Sequence, residues 1–174
     1  MAWDAIITSG SNSRGNAKPR QKVLRVGDNW IGVAGLSVYY NLLDHWSATA
    51  RVPILRTERD VLGMFLKLLK ALRSSYHFVN DQSDSDSPSP FSDFSAEFLV
   101  VNAHGMFIAK EILSITSYDS YCAIGSGSPF AEAAAFSLYD RLSTAREIAH
   151  ESMKAALEFD RASGGPVESV SISV

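Results

Sequence analysis

Gly125, Ser126, Gly127 and Ser128 stand between an apolar run, "SYCAI", and a stretch with helical patterning. A glycine-rich turn at a helix N-terminus can hold an anion on its backbone N–H groups. No Lys-Ser or Lys-Thr pair follows, as a phosphate-binding P-loop requires, and the spacing misses the dinucleotide fingerprint. Taken alone, the segment is a tight turn with a cap. The four histidines (His45, His77, His104, His150) and Cys122 are scattered, with none of the spacings of a zinc site. No metal or cofactor is therefore expected. Cys122 lies in the apolar run, where a thiol serves as a small buried hydrophobe rather than a nucleophile. A lone cysteine makes no internal disulfide, which points to a reducing compartment.

The elements that must position these residues belong to a chain of 174 residues, long enough for one domain with a sizeable core. Its composition, 46% hydrophobic and 20% charged, is that of a globular protein. The net charge of -3 gives no reason to expect nucleic acid or an anionic membrane as a partner. No apolar run reaches membrane-spanning length and no signal peptide is recognised, so a cytoplasmic location is expected.

Residues 1–8 alternate weakly and run into the turn chemistry of "TSGSNSRGNAKPRQ". "KVLRVGDNWIGVAG" predicts a β-hairpin, with strands at 22–26 and 30–35 around Gly27-Asp28-Asn29. A helical face follows at Leu36, Tyr39, Tyr40, Leu42, Leu43 and Trp46. The next helix has Thr57 as N-cap, Glu58 and Asp60 at the positive end of the dipole, and an apolar stripe from Val61 to Leu72. "NDQSDSDSPSPFSD" has nothing to bury and predicts a flexible acidic Ser/Pro loop at 81–95 within the single domain 1–174. "AEFLVVNAHGMFIAK" predicts two strands joined at Ala103-His104-Gly105, and "SYCAI" a further strand. Ser128 is the expected N-cap of the helix that follows, with Pro129 at its first position and Glu132 in its first turn. Thr144 and Glu147 form a capping box for a last helix with Ile148, Ser152, Ala156 and Phe159 on one face. "DRASGG" stops it, and "PVESVSISV" predicts a final strand with Val170, Ile172 and Val174 on one side. Strand groups separated by helix pairs indicate an α+β chain with antiparallel sheets, two sheets between two helix layers.

"YCAIGSGSPFAEAA", "LSTAREIA" and the Asp160, Ser163, Gly164, Gly165 pattern together resemble the C-terminal half of a proteasome β-type subunit. The bacterial forms, such as the HslV peptidase, are the nearest in pattern. "WDAIITSGS" resembles the family's second strand with its Asp, and "QKVLRVGDNWIGVAG" the hairpin that carries its Lys. Each motif is loose, but five in order span nearly the whole chain. The resemblance implies a four-layer αββα Ntn-hydrolase sandwich. It implies a threonine endopeptidase whose N-terminal hydroxyl attacks a peptide carbonyl with its own α-amine as base. It further implies a homo-oligomeric ring that degrades unfolded polypeptides and is fed by an ATP-dependent unfoldase.

Carried over residue by residue, Asp4 matches the acid that pairs with the lysine, and Lys22 matches that lysine. Arg20, two positions earlier and so on the same strand face, is the competing match. Ser126 matches the serine near the nucleophile, with an oxyanion-hole N–H around Gly127, and Asp160 and Ser163 match the pair that orients the threonine end. Without the resemblance, each has an ordinary structural explanation as a solvated acid, a surface lysine or a helix stop.

The family begins with a strand bearing the threonine, whereas here Met1 stands just before the matched Asp4. That first strand is expected to be missing from residues 1–174, and Thr8, after Asp4, does not replace the nucleophile. Three explanations remain: an internal Met taken as the start, a catalytically silent structural ring subunit, or a non-proteasomal Ntn amidohydrolase.

Overall fold

A computed structural model describes residues 1–4, 8–9, 12–13, 21–75, 96–110 and 113–173. The loop expected at 81–95 and Arg20 lie outside the described residues. The chain divides into two compact units, Leu24–Tyr118 and a second made of Met1–Val23 with Asp119–Val174.

In the Leu24–Tyr118 unit, the predicted hairpin forms as β4 (Val23–Val26) and β5 (Asn29–Gly35), turning at Gly27, whose φ of 60° suits glycine. It continues through β6 (Ala96–Asn102), β7 (Gly105–Ala109) and β8 (Ile115–Tyr118) into a five-stranded sheet in that order. Strict alternation along β6 buries Ala96, Phe98, Val100 and Asn102 on one face. Against this sheet core lie residues of α1 (Ser37–Ser47) and α2 (Glu58–Ser75), which contribute Tyr39, Leu43, Val61, Phe65, Leu68 and Leu72. Phe65 meets Phe98 at a ring-centroid separation of 4.7 Å. Thr57 caps α2 reciprocally: its Oγ1 accepts the Asp60 N–H at 3.2 Å, and Asp60 Oδ2 accepts the Thr57 N–H at 3.0 Å.

A buried polar network holds the chain between the two helices. Asn29, fully buried, donates from Nδ2 to the Val26 and Pro53 carbonyls and accepts the Leu55 N–H at 3.0 Å. Asn102 Nδ2 donates to Asn29 Oδ1 and to the Leu55 carbonyl. Each Asn satisfies backbone groups that the loop could not pair within itself.

In the other unit, β1 (Ala2–Asp4) pairs antiparallel with β9 (Val167–Ser169), placing Asp4 opposite Val167. A short hairpin of β2 (Thr8–Ser9) and β3 (Asn12–Ser13) follows β1 in sequence. Helix α4 (Ala145–Phe159) lies against β1 and β9, and α3 (Ser128–Leu138) packs on α4. The buried residues of this helix pair are small: Ala131, Ala135, Ser152 and Ala156. Thr144 caps α4 as expected, accepting the Glu147 N–H at 3.2 Å.

Several local expectations are corrected. "SYCAI" is not a strand; the ladder ends with β8 at Tyr118, and the Ala123 N–H is taken by the Glu132 side chain at 3.0 Å instead of a neighbouring strand. Gly127, not Ser128, is the N-cap of α3, because its carbonyl already accepts the Phe130 and Ala131 N–H groups. Glu132 consequently falls beyond the first turn. The last strand is shorter than predicted: Met1 and Val170 exchange both backbone hydrogen bonds at 2.9 Å, and the ladder goes no further. Phe159 is 66% exposed despite its apolar register, since α4 buries only its small residues against its neighbours. No helix among the described residues is long and apolar enough to cross a membrane.

Candidate active site

Within the Met1–Val23 and Asp119–Val174 unit, the last residue of β1 carries the first acid. Asp4 is buried to 8% exposure, and its Oδ1 receives the Lys22 ammonium at 2.7 Å. Its other oxygen accepts the Gly164 N–H at 3.1 Å. One carboxylate thus fixes the lysine, which immediately precedes β4, to the turn that follows α4. The lysine side chain remains 31% exposed, so two of its three N–H donors are available for another oxygen.

The second acid is a helix terminus. Asp160 is the C-cap of α4, with φ −97° and ψ 119°, and its N–H closes the helix on the Ala156 carbonyl. Its Oδ2 collects two hydroxyl donors, Ser126 at 2.7 Å and Ser163 at 2.8 Å, while Oδ1 accepts the Ala162 N–H at 3.1 Å. Desolvation opposes ionisation of Asp160, but the Ser126, Ser163 and Ala162 donors, helped by the Lys22 charge, hold its carboxyl below the ordinary carboxylate value. Each serine has one hydroxyl proton and uses it to donate a hydrogen bond to the Asp160 carboxylate. Their lone pairs remain as acceptors for an amine N–H. Lys22 supplies donors for an oxygen; Ser126 and Ser163 supply acceptors for a nitrogen.

Gly127 makes this packing possible. A Cβ there would stand 2.9 Å from Ser163 Oγ, 3.0 Å from Ala156 Cβ and 3.3 Å from Asp160 Oδ2. The N-terminus of α3, the positive end of its dipole, begins at this residue.

The structure therefore brings Asp4 to Lys22, and Ser126 and Ser163 to Asp160, with Gly127 wedged between; Arg20 cannot be compared with Lys22 because it is outside the described residues. Sequence reasoning missed the Gly164 and Ala162 backbone donors and the Glu132 acceptor. The two backbone donors lie in the Asp160–Gly165 pattern, but a backbone N–H has no signature in residue type. Cys122 is half-buried, and burial, then the Glu132 charge, push its thiol up to about 12, which removes it as a nucleophile. No cluster of potential metal ligands occurs among the described residues.

No family model matches the sequence, and no curated protein matches it. Solved structures do. BPH from Thiobacillus denitrificans in complex with epoxomicin superposes with a TM-score of 0.83 at 24% identity, over 96% of this chain and 88% of that one. A second structure of the same BPH gives a TM-score of 0.82 at the same identity and coverage. The eukaryotic HslV of Trypanosoma brucei gives 0.62 at 22% identity, again over 96% and 88% of the two chains. The chain therefore shares the fold of these BPH and HslV structures. This is the Ntn-hydrolase sandwich implied by the sequence motifs.

Proposed function

We propose that this chain is a subunit of a proteasome-type threonine endopeptidase that cleaves unfolded polypeptides inside a ring of identical subunits. The nucleophile is an N-terminal threonine on a segment preceding Met1. Its hydroxyl attacks the peptide carbonyl and passes its proton to the α-amine, which then protonates the departing amine; water hydrolyses the resulting ester. An α-amine titrates at about 7.7–8.0 when unperturbed, so it is available as a base near neutral pH. Lys22, locked by Asp4, disfavours protonation of that amine and donates to the threonine oxygen. Ser126 and Ser163, their protons committed to Asp160, accept from the amine and orient it. A backbone N–H at Gly127 serves the developing oxyanion. The observation that carries this reading is the 2.7 Å Lys22–Asp4 pair, in a unit that also presents two proton-committed serines. Ring closure around the sites excludes folded proteins. We therefore assign an ATP-dependent unfoldase as the partner, and the lone cysteine supports the reducing cytoplasm as the location.

The test is made on protein purified from its own cells. N-terminal sequencing with intact mass is expected to find a mature N-terminal threonine, and the protein is expected to hydrolyse casein. Lys22→Ala should lower kcat about 100-fold or more while keeping the fold, as loss of one preorganised electrostatic partner does. A mature chain beginning at Met1 and hydrolysing nothing refutes the peptidase and leaves a silent ring subunit.

A further inference from the structure

Ser126 must lie within a few tenths of an ångström of its place to reach Asp160 Oδ2 at 2.7 Å, yet the segment leading to it belongs to no strand. Two contacts with the helix that follows tie that segment down: Tyr121 meets Tyr139, the C-cap of α3, at a ring-centroid separation of 5.5 Å, and a helix side chain holds the segment's backbone. Glu132 reaches back from α3 and accepts the Ala123 N–H on Oε1 at 3.0 Å. Between the two ends of this clamp the chain makes a tight turn: Gly125 has φ 89°, and its carbonyl accepts the Ser128 N–H at 3.1 Å. Gly127 closes the turn against Ser163, Ala156 and Asp160. The loop bearing Ser126 is thus held at its entry by Glu132 and at its exit by packing on α4. Glu132 lies beyond the first turn of α3, so favouring the helix dipole does not account for an acid there. Taking the Ala123 N–H also removes that donor from any strand that could pair with this segment.

We propose that Glu132 is a positioning residue for Ser126: by anchoring Ala123 it sets the Gly125–Gly127 turn so that the Ser126 hydroxyl stays committed to Asp160. The catalytic consequence rests on the peptidase function proposed above; the anchoring does not. Wild type, Glu132→Ala and Glu132→Gln are compared in the protein from its own cells. Glu132→Ala is expected to speed hydrogen exchange of the Ala123 amide about tenfold or more, as local opening becomes easier. It is expected to raise the Asp160 carboxyl titration, followed by carboxyl-carbon NMR, because the Ser126 donor is lost from the ionised form. It should lower kcat about 10–100-fold with KM changed less than about twofold, the signature of misplacement and not of lost binding. Glu132→Gln keeps an acceptor oxygen and should restore all three readouts, with kcat within about threefold of wild type. Unchanged Ala123 exchange or unchanged Asp160 titration in Glu132→Ala overturns the proposal, as does a Gln variant as impaired as Ala. Wild type that hydrolyses nothing overturns the peptidase instead, and Glu132 is then judged by exchange and titration alone.

Discussion

Gly127→Ala tests the packing that joins the two helices to the site. The backbone at Gly127, φ −79° and ψ −4°, accepts any residue, so the substitution introduces no backbone strain. The conflict is steric. The added methyl group would stand 2.9 Å from Ser163 Oγ and 3.0 Å from Ala156 Cβ. Favourable contacts between heavy atoms lie at about 3.5–4.0 Å, so the new carbon is roughly half an ångström too close on two sides. Ala156 is 2% exposed and fixed on α4, which leaves Ser163 to move, and moving it strains the 2.8 Å hydrogen bond to Asp160. Overpacking of this kind costs about 1–3 kcal/mol. At about 2–4 °C per kcal/mol for a chain of this size, Tm should fall roughly 2–12 °C at constant protein concentration. Scanning calorimetry measures the fall. Adding Ser163→Ala removes one of the two clashes, so the double variant should lose less than the sum of the single losses, by about 0.5 kcal/mol or more. A Gly127→Ala protein as stable as wild type, or strict additivity of the pair, refutes the steric argument.

Asn29→Ala should destabilise by about 2–4 kcal/mol in urea unfolding, because it orphans the buried Leu55 N–H and removes one of the two acceptors of Asn102 Nδ2; an effect under about 1 kcal/mol would show that water replaces it. Asp160, depressed in the folded chain, contributes stability that is present above its unfolded value of 3.8 and lost as pH falls through the lower folded value. The Tm difference between wild type and Asp160→Asn should therefore be constant from pH 7 to 5 and shrink only below about pH 4; a difference that fades near pH 6 contradicts the assignment. Cys122, its thiol at about 12, should react with iodoacetamide at pH 8 far more slowly in the folded protein than in urea, and equal rates would overturn the burial argument.

What the sequence determined by itself is the local grammar and, through ordered motifs, the fold. Thr57 and Thr144 cap their helices as read, since a cap needs only a hydroxyl and an acid at fixed spacing. The hairpin of β4 and β5 and the alternation of β6 follow from period and turn chemistry. Long-range partnership was not legible. "SYCAI" has strand composition, but a strand exists only where another strand answers its N–H groups, and here Glu132 answers first. The apolar register continuing to Phe159 similarly gave no sign that α4 buries only small residues against its neighbours. Asp4, Lys22, Ser126, Asp160 and Ser163 could be named from the motifs they resemble. Only tertiary structure decided that Asp4 binds Lys22 and the Gly164 N–H, and that two hydroxyls converge on one oxygen of Asp160. The reason is physical. A cap or a turn is closed by residues a few positions apart, whereas a charge pair at 2.7 Å requires distant segments to be set by packing, which no local spacing encodes.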